Sequence, residues 1–201
     1  MNNKGNLVIV CGPSGVGKGT VCRKWVLENP DIVLSVSATT RKPRAGEEDG
    51  MHYHFKTKMQ FEQMIKQNAL LEWAEYCNHY YGTPKAYIDK QLQQGKDVVL
   101  EIDVQGALSV KKQYPEGIFV FICPPSIEEL TKRIRGRGTE AEDVIVRRLK
   151  RANDEMKYIK YFDYIVINDE VSKAVQRIHS IVVAEKCSVK KNYDIIKEWN
   201  K

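Results

Sequence analysis

The sequence predicts an α/β fold in which helices cover both faces of a mostly parallel central sheet. Short apolar runs alternate with amphipathic stretches along the 201 residues, and this alternation is typical of parallel strands joined by helices. A glycine-rich segment separates the first apolar run from a helical pattern, as at strand–loop–helix junctions that bind anions. The length suits one domain with a buried core.

Five apolar runs have the length and composition of buried strands. They are residues 7–11, 32–36, 98–102, 118–122 and 164–167. Amphipathic helical patterns lie between or after them, and one apolar stripe near the C-terminus contains Val171, Val175, Ile178 and Val182. Potential capping boxes, in which a hydroxyl residue precedes a glutamate by three positions, begin at Ser126 and Thr139.

Residues 51–83 interrupt the alternation. We expect a short strand near residues 52–55, a helix near 58–68, and a hairpin that pairs 71–76 with 80–81. These elements predict a small mixed α/β subdomain inserted into the parallel core. One domain, residues 1–201, would then consist of a core (1–36, 84–125 and 159–201), a subdomain (37–83) and a helical lid (126–158).

Composition narrows the class of protein. The net charge of +6 favours anionic partners, whether nucleic acid, lipid or phosphorylated small molecules. No apolar run is long enough to span a bilayer, and the polar N-terminus does not resemble a signal peptide. We therefore expect a cytoplasmic protein without a membrane partner. The five cysteines include no Cys-x-x-Cys pair, which argues against a disulfide framework and a zinc site.

The strongest local signal is a phosphate-binding loop. Its glycines bring backbone N–H groups close to phosphate oxygens, and the following helix contributes the positive end of its dipole. Its lysine would reach the β- and γ-phosphates of ATP. The loop comprises Gly12, Pro13, Ser14, Gly15, Val16, Gly17, Lys18, Gly19 and Thr20.

This loop departs from the general pattern at one position. A serine or threonine usually follows the lysine and offers its hydroxyl to Mg²⁺. Here Gly19 follows the lysine, and the hydroxyl is shifted to Thr20. We expect Mg²⁺ as the cofactor, with Thr20 and Asp103 near the metal, in contact with it directly or through water.

Two arginines follow the second predicted strand. Arg41 and Arg44 lie three residues apart and can grip one phosphate through charge-assisted hydrogen bonds. The alternative is a solvated loop in which Glu47 and its acidic neighbours pair with the arginines.

Glu101 and Asp103 lie at the end of the predicted strand 98–102, on one face of it. Carboxylates at this end of a parallel strand often organise magnesium or bind a substrate. The alternative is a structural pair that basic neighbours satisfy.

Residues 37–47 are similar to the acceptor-phosphate signature of guanylate kinases. The resemblance continues in family order through residues 49–53, 71–74, 79–83, 101–106, 124–126, 136–139 and 167–169, and it covers almost the whole chain. It implies a P-loop three-layer fold and transfer of the γ-phosphate of ATP to GMP or dGMP. Residues 37–83 would then be the acceptor-binding subdomain.

The resemblance also implies residue roles. The acceptor phosphate would contact Arg41, Arg44, Tyr53 and Tyr81. The guanine and its surroundings would involve Ser37, Glu72, Thr83, Glu101 and Asp103. The lid would supply Arg137 and Arg148, and Asn168 would lie near the adenine of ATP. Lys18, Arg44, Arg137 and Arg148 would stabilise the group in transfer.

The guanine assignment is chemically sound. Guanine presents two neighbouring donors, N1–H and the 2-amino group, to which a carboxylate such as Glu72 offers two acceptors. Adenine has no such donor pair on that edge. The hydroxyl of Thr83 can donate to guanine O6, whereas Tyr80 is better explained by packing in the sheet.

The predicted lid helix has an apolar stripe formed by Ile145, Leu149, Ala152, Met156 and Ile159. Arg148 flanks this stripe and can point inward, whereas Arg147 and Arg151 are expected to be solvated.

Other functions compete with this hypothesis. A kinase for another monophosphate, a non-catalytic scaffold module and a nucleic-acid-binding protein are the alternatives. The retained loop lysine and arginines argue against a scaffold module, and no nucleic-acid-reading motif is present. We expect ATP and GMP or dGMP as the partners, no nucleic acid, and a monomer or homodimer.

Overall fold

The computed structural model describes residues 4–76, 78–136 and 142–193. The strands in these ranges are β1 (Leu7–Cys11), β2 (Ile32–Leu34), β3 (Ala38–Thr39), β4 (His54–Phe55), β5 (Leu70–Tyr76), β6 (His79–Pro84), β7 (Asp97–Glu101), β8 (Ile118–Cys123) and β9 (Tyr164–Ile167). The α-helices are α1 (Lys18–Glu28), α2 (Lys58–Lys66), α3 (Lys85–Gln93), α4 (Val104–Gln113), α5 (Ile127–Arg135), α6 (Glu142–Met156) and α7 (Val171–Lys186). A short 3₁₀ helix spans Ile159–Tyr161.

The central sheet has the strand order β2-β7-β1-β8-β9, and each of its neighbouring pairs is parallel. All five predicted strands are present, so the α/β fold with a parallel central sheet is confirmed. Three of them differ at their ends: β2 stops at Leu34, before the chain turns towards a second sheet, β7 runs from Asp97 to Glu101 rather than over 98–102, and β8 continues to Cys123.

Helices pack on both faces of this sheet because the strand β1 is apolar at every position and fully enclosed. Its alternate side chains face opposite ways. Val8 and Val10 belong to a core shared with Trp25 of α1 and Ile178 of α7. Ile9 belongs to the core on the other face, together with residues of β8, α3 and α4.

The second sheet has the order β4-β3-β6-β5. It is mixed, because β3 and β4 are parallel whereas β6 pairs antiparallel with both β3 and β5. The predicted hairpin is therefore present, with Trp73 opposite Gly82 and Ala74 opposite Tyr81. Helix α2 closes one side of this sheet with Phe61, which is fully buried against Ala38 and Leu70.

Helix ends agree only partly with the sequence pattern. Ser126 caps α5 by accepting the N–H of Glu129 at 3.1 Å, as predicted. The box expected at Thr139 lies outside the described residues. A reciprocal capping box that the sequence analysis missed begins α2, where Thr57 and Gln60 bind each other's backbone N–H groups. This helix ends at Lys66, two residues before Asn68 takes a left-handed conformation with φ 49°.

The second sheet depends on one large side chain. Replacing Phe61 by alanine should lower its stability by about 3–5 kcal/mol, because the ring is fully buried and stacks on Tyr80 with a centroid separation of 5.4 Å. Urea unfolding with hydrogen exchange of the β3 and β6 amides measures this loss. Met59→Ala is the control, since Met59 lies on the same helix and is 77% exposed. Unchanged exchange in Phe61→Ala would contradict the assignment.

Candidate active site

The glycine-rich loop joins the end of β1 to the start of α1. Its conformation requires glycine at Gly12 (φ 150°) and Gly17 (φ 93°). A side chain at Gly12 would also meet the carbonyl oxygen of Ile122 at 2.3 Å, and one at Gly17 would meet Nδ2 of Asn168 at 2.8 Å. The loop is therefore held against β8 and the end of β9, with the N-terminal N–H groups of α1 directed outward.

Two side chains hold the loop through hydrogen bonds to its carbonyl oxygens. Lys18 donates from Nζ to the carbonyl oxygen of Gly12 at 2.6 Å and to that of Pro13 at 3.3 Å. Asn168 is only 3% exposed and donates from Nδ2 to the carbonyl oxygen of Val16 at 2.8 Å. Its Oδ1 is buried without a hydrogen-bond partner among the described residues. Asn168 therefore braces the loop although it lies 152 positions away from Val16 in the sequence.

A cleft of about 390 Å³ lies beside the loop, between the central sheet, the second sheet and α6. It brings together residues that are far apart in sequence. Its lining includes Lys18, Ser37, Tyr53, Glu72, Tyr81, Glu101 and Asp103, all of them predicted site residues. The parallel strands β1 and β7 end at this cleft, at the edge where open α/β sheets bind ligands.

Glu72 is the most perturbed acid in this cleft. Burial raises the pKa of its carboxyl from 4.5 to about 7, and the nearby charge of Asp103 adds to the increase. Thr83 is fully buried and donates from Oγ1 to Glu72 Oε1 at 2.6 Å, which partly opposes the shift. The other oxygen lies over Gly106, where an added Cβ would meet it at 3.0 Å.

Asp103 has a structural partner that the sequence pattern did not reveal. It is the N-cap of α4, and its Oδ1 accepts the N–H of Gly106 at 2.9 Å. Its Oδ2 lies 3.8 Å from the guanidinium of Arg151. One oxygen is thus committed to the helix, and the other faces the cleft.

The arginine loop after β3 shows the pairing that the sequence left open. Arg41 donates from Nη2 to Glu47 Oε1 at 2.9 Å, and the backbone N–H of Arg44 binds Oε2 at 2.8 Å. These hydrogen bonds lower the pKa of Glu47 to about 2, and the bond from Arg41 has the larger effect. Arg41 also lies over the ring of Tyr53, 5.4 Å from its centroid.

Tyr53 and Tyr81 meet edge to face with a centroid separation of 6.1 Å. Burial raises the pKa of the Tyr53 phenol, so its hydroxyl stays a donor. The structure therefore places Arg41, Tyr53 and Tyr81 together, whereas the side chain of Arg44 is exposed at the rim of this group.

Helix α6 approaches the loop from the other side. Arg148 donates from Nη2 to Ser14 Oγ at 3.3 Å, so it points inward as predicted. Arg147 points outward and pairs with Asp143 at 2.8 Å. Arg137 lies outside the described residues.

The sequence analysis missed two residues of α6. Arg151 was expected to be solvated, and its side chain is indeed 44% exposed, but it also lines the cleft, lies 3.8 Å from Asp103 and binds Glu155 at 2.8 Å. Glu155 accepts the backbone N–H of Ser14 at 3.0 Å. The spacing of positions 148, 151 and 155 on one helical face was the available signal.

Magnesium fits the region beside the loop. A recess of about 300 Å³ is lined by Lys18, Thr20, Glu101 and Arg148, among others. No group of three or more acidic, histidine or cysteine side chains capable of holding a metal occurs in the part of the chain that the structure describes. The hydroxyl of Thr20 and the carboxylate of Glu101 in this recess suit Mg²⁺, which usually takes few protein ligands and binds mainly through water and substrate phosphates.

Within the described ranges, no helix combines the length and the apolar composition needed to cross a bilayer.

The loop between a central strand and a helix, its lysine and the adjoining cleft define a P-loop nucleotide-binding protein. Comparison with known proteins narrows this class. Residues 4–185 match the family model described as guanylate kinase. A guanylate kinase from Caldanaerobacter subterraneus subsp. tengcongensis is 52% identical over 97% of this chain and 95% of its own. Another, from Halalkalibacterium halodurans, is 54% identical over 92% and 90%.

Among solved structures, a guanylate kinase from Anaplasma phagocytophilum is similar, with a TM-score of 0.74 and 30% identity. The alignment covers 92% of this chain and 88% of that one. The chain therefore belongs to the guanylate kinase family, and it is an ATP-dependent kinase.

The buried Glu72 should reduce the stability of the ligand-free protein at high pH. Because its pKa is raised in the folded state, the folded protein holds a proton that the unfolded chain releases, so stability falls as pH rises from about 4.5 to 7. The shift from 4.5 to about 7 corresponds to about 3 kcal/mol. Glu72→Gln should remove this fall in stability, because the amide does not ionise. The variant should still fold, since the amide oxygen can accept the hydrogen bond from Thr83.

Urea unfolding at pH 5 and pH 8 measures the effect. Glu75→Gln is the matched control, since Glu75 lies on the same strand with an exposed side chain. If the free energy of unfolding depends on pH equally in the wild type and in Glu72→Gln, the raised pKa of the buried Glu72 carboxyl is contradicted.

Proposed function

We propose that this chain transfers the γ-phosphate of Mg·ATP to GMP or dGMP, giving ADP and GDP or dGDP. The observation that carries the proposal is the position of Glu72, which is hydrogen-bonded to Thr83 and lines the same cleft as the phosphate-loop lysine Lys18. A base-reading group and a phosphate-holding group in one cleft are what a monophosphate kinase requires.

Guanine selectivity follows from the chemistry of the pair. In its ionised form, Glu72 accepts both N1–H and the 2-amino group, whereas adenine leaves it unsatisfied. Binding of guanine therefore favours the carboxylate over its buried neutral form. Thr83, now bonded to Glu72 at 2.6 Å, can turn its hydroxyl towards guanine O6. Neither group addresses the ribose 2′ position, which is consistent with acceptance of dGMP.

The acceptor phosphate would bind beside Arg41, Arg44, Tyr53 and Tyr81. Glu47 now occupies the guanidinium of Arg41, so the phosphate would compete with this carboxylate or share the arginine with it. A dianionic phosphate offers more acceptors than a carboxylate and attracts the nearby exposed Arg44 as well.

The transfer needs no general base, because the attacking phosphate oxygen of GMP is already ionised at neutral pH. This oxygen forms a bond to the γ-phosphorus while the bond to the β,γ-bridging oxygen breaks, and ADP leaves. Lys18 and Arg148, which lie at the loop, would stabilise the charge together with Arg44 and Arg137. Mg²⁺ near Thr20, Glu101 and Asp103 would neutralise charge on the phosphates when bound.

In this proposal, residues 37–83 form the acceptor-binding subdomain and residues 126–158 the lid. Closure of the two over the cleft would exclude water and suppress hydrolysis of ATP.

A coupled assay of ADP formation tests the function, using Mg·ATP with GMP, dGMP, AMP, CMP, UMP and dTMP in parallel. Turnover with GMP and dGMP alone is expected. Turnover with another base would overturn the acceptor assignment. A folded protein that binds GMP without turnover would favour a non-catalytic binding module.

The base-reading pair can be tested by substitution. Glu72→Gln and Thr83→Ala should each lower kcat/KM for GMP by about 10–100-fold, since each loses a hydrogen bond to the base, charge-assisted for Glu72. The KM for ATP should stay within about threefold, because the phosphate loop is untouched. Steady-state kinetics with each substrate varied measures both. Glu75→Gln should behave as the wild type. Unchanged preference for GMP over AMP in Glu72→Gln would reject the assignment.

The raised pKa of Glu72 predicts a pH dependence of GMP binding. Below pH of about 7, its carboxyl is protonated in the free protein and cannot accept both guanine donors, so the KM for GMP should rise about tenfold per pH unit. The KM for ATP provides the internal control between pH 5.5 and 8.5. In Glu72→Gln the KM for GMP should be independent of this ionisation. A flat profile in the wild type would mean that Glu72 does not read the base.

A further inference from the structure

We propose that Glu155 is a positioning residue, which braces the first part of the phosphate loop from helix α6. Its carboxylate accepts the backbone N–H of Ser14 at 3.0 Å. The side chain is only 13% exposed, so this contact lies largely out of solvent, where a hydrogen bond is stronger than in water. The proposal rests on the proposed function only in so far as the loop holds ATP.

Glu155 does not occupy the anion-binding part of the loop. The N–H groups that can receive phosphates belong to the later residues, where the chain turns into α1. Ser14 precedes that turn. On the inner side of the same segment, Lys18 holds the carbonyl oxygens of Gly12 and Pro13. The first residues of the loop are thus fixed from two sides, by Lys18 through carbonyls and by Glu155 through an N–H group.

The negative charge of Glu155 is balanced within its own helix. Arg151 donates from Nε to Glu155 Oε1 at 2.8 Å, and its Nη2 lies 3.8 Å from Asp103 Oδ2. Asp103 in turn caps α4 through Gly106. A chain of polar contacts therefore runs from the phosphate loop through α6 to the helix that faces Glu72. This compensation leaves the carboxylate free to hold Ser14 without repelling a nucleotide strongly.

Arg148 reaches the same residue at its side chain, 3.3 Å from Ser14 Oγ. Helix α6 therefore contacts Ser14 at both backbone and hydroxyl, seven positions apart on one face. When α6 carries Arg148 towards a transferring phosphate, Glu155 keeps the loop in register with it. Glu155 thus aligns the loop that holds ATP with the helix that supplies the arginine.

Calorimetry with the β,γ-imido analogue of ATP and MgCl₂, without GMP, tests the brace on the full chain. Glu155→Ala should weaken this binding at least about tenfold, because Ser14 loses its partner. Glu155→Gln should stay within about threefold of the wild type, since the amide oxygen still accepts the N–H group. Binding of GMP, measured alone, should change by less than about threefold in both variants.

The outcomes separate this proposal from others. Unchanged or tighter binding of the analogue in Glu155→Ala would overturn it, and tighter binding would mean that the carboxylate competes with the nucleotide. Equal weakening in the Ala and Gln variants would also overturn it, because the charge and not the hydrogen bond would then be responsible. Parallel loss of GMP binding would indicate general damage and also overturn it.

Asp154→Asn is the matched control, because Asp154 is the neighbouring acid and pairs at the surface with Lys157. It should bind the analogue as the wild type does. The readout needs no turnover, so failure of the chain to phosphorylate GMP leaves this test intact.

Discussion

The site depends on the complete burial of β1 at the centre of the sheet. Its five residues are at most 6% exposed, and helices cover them from both faces, so the end of this strand cannot shift without disturbing both cores. The phosphate loop that follows β1 therefore begins at a fixed position. Gly12 is pressed against the backbone of Ile122 and Gly17 against Asn168. Neighbouring strands of the same sheet thereby set the shape of the phosphate cradle.

The Glu72 carboxyl, the proposed base-reading group, is costly to the fold. Burial beside Thr83 and against Gly106 raises the pKa of the Glu72 carboxyl to about 7, because the charged form is disfavoured away from water. A neutral side chain of the same shape would suit the fold better. The arrangement is reasonable only where a ligand supplies donors to the carboxylate, which is why perturbed acids in clefts indicate function.

Local sequence was sufficient for the five strands of the central sheet and for the phosphate loop. An apolar run, a glycine-rich turn and a helical pattern follow one another directly, and their meaning does not depend on the rest of the chain. The Glu72–Thr83 pair needed the family resemblance, because neither residue stands out until the hairpin brings them together. Ser14 and Glu155 are separated by 141 positions, and no local pattern specifies that contact. The same holds for Asp103, whose capping role depends on where α4 begins.

The second sheet is inserted into the chain at a single place. The chain leaves the central sheet after β2 and returns through β6 into α3, and its first and last strands there are direct neighbours, with Ala38 opposite Gly82. A segment whose two ends already lie side by side can be exchanged at little cost in chain entropy. In the proposed function, this exchangeable segment, the acceptor cassette, carries the choice of acceptor separately from the phosphate loop. Grafting a different cassette between the same two attachment points is a route to kinases with new acceptors.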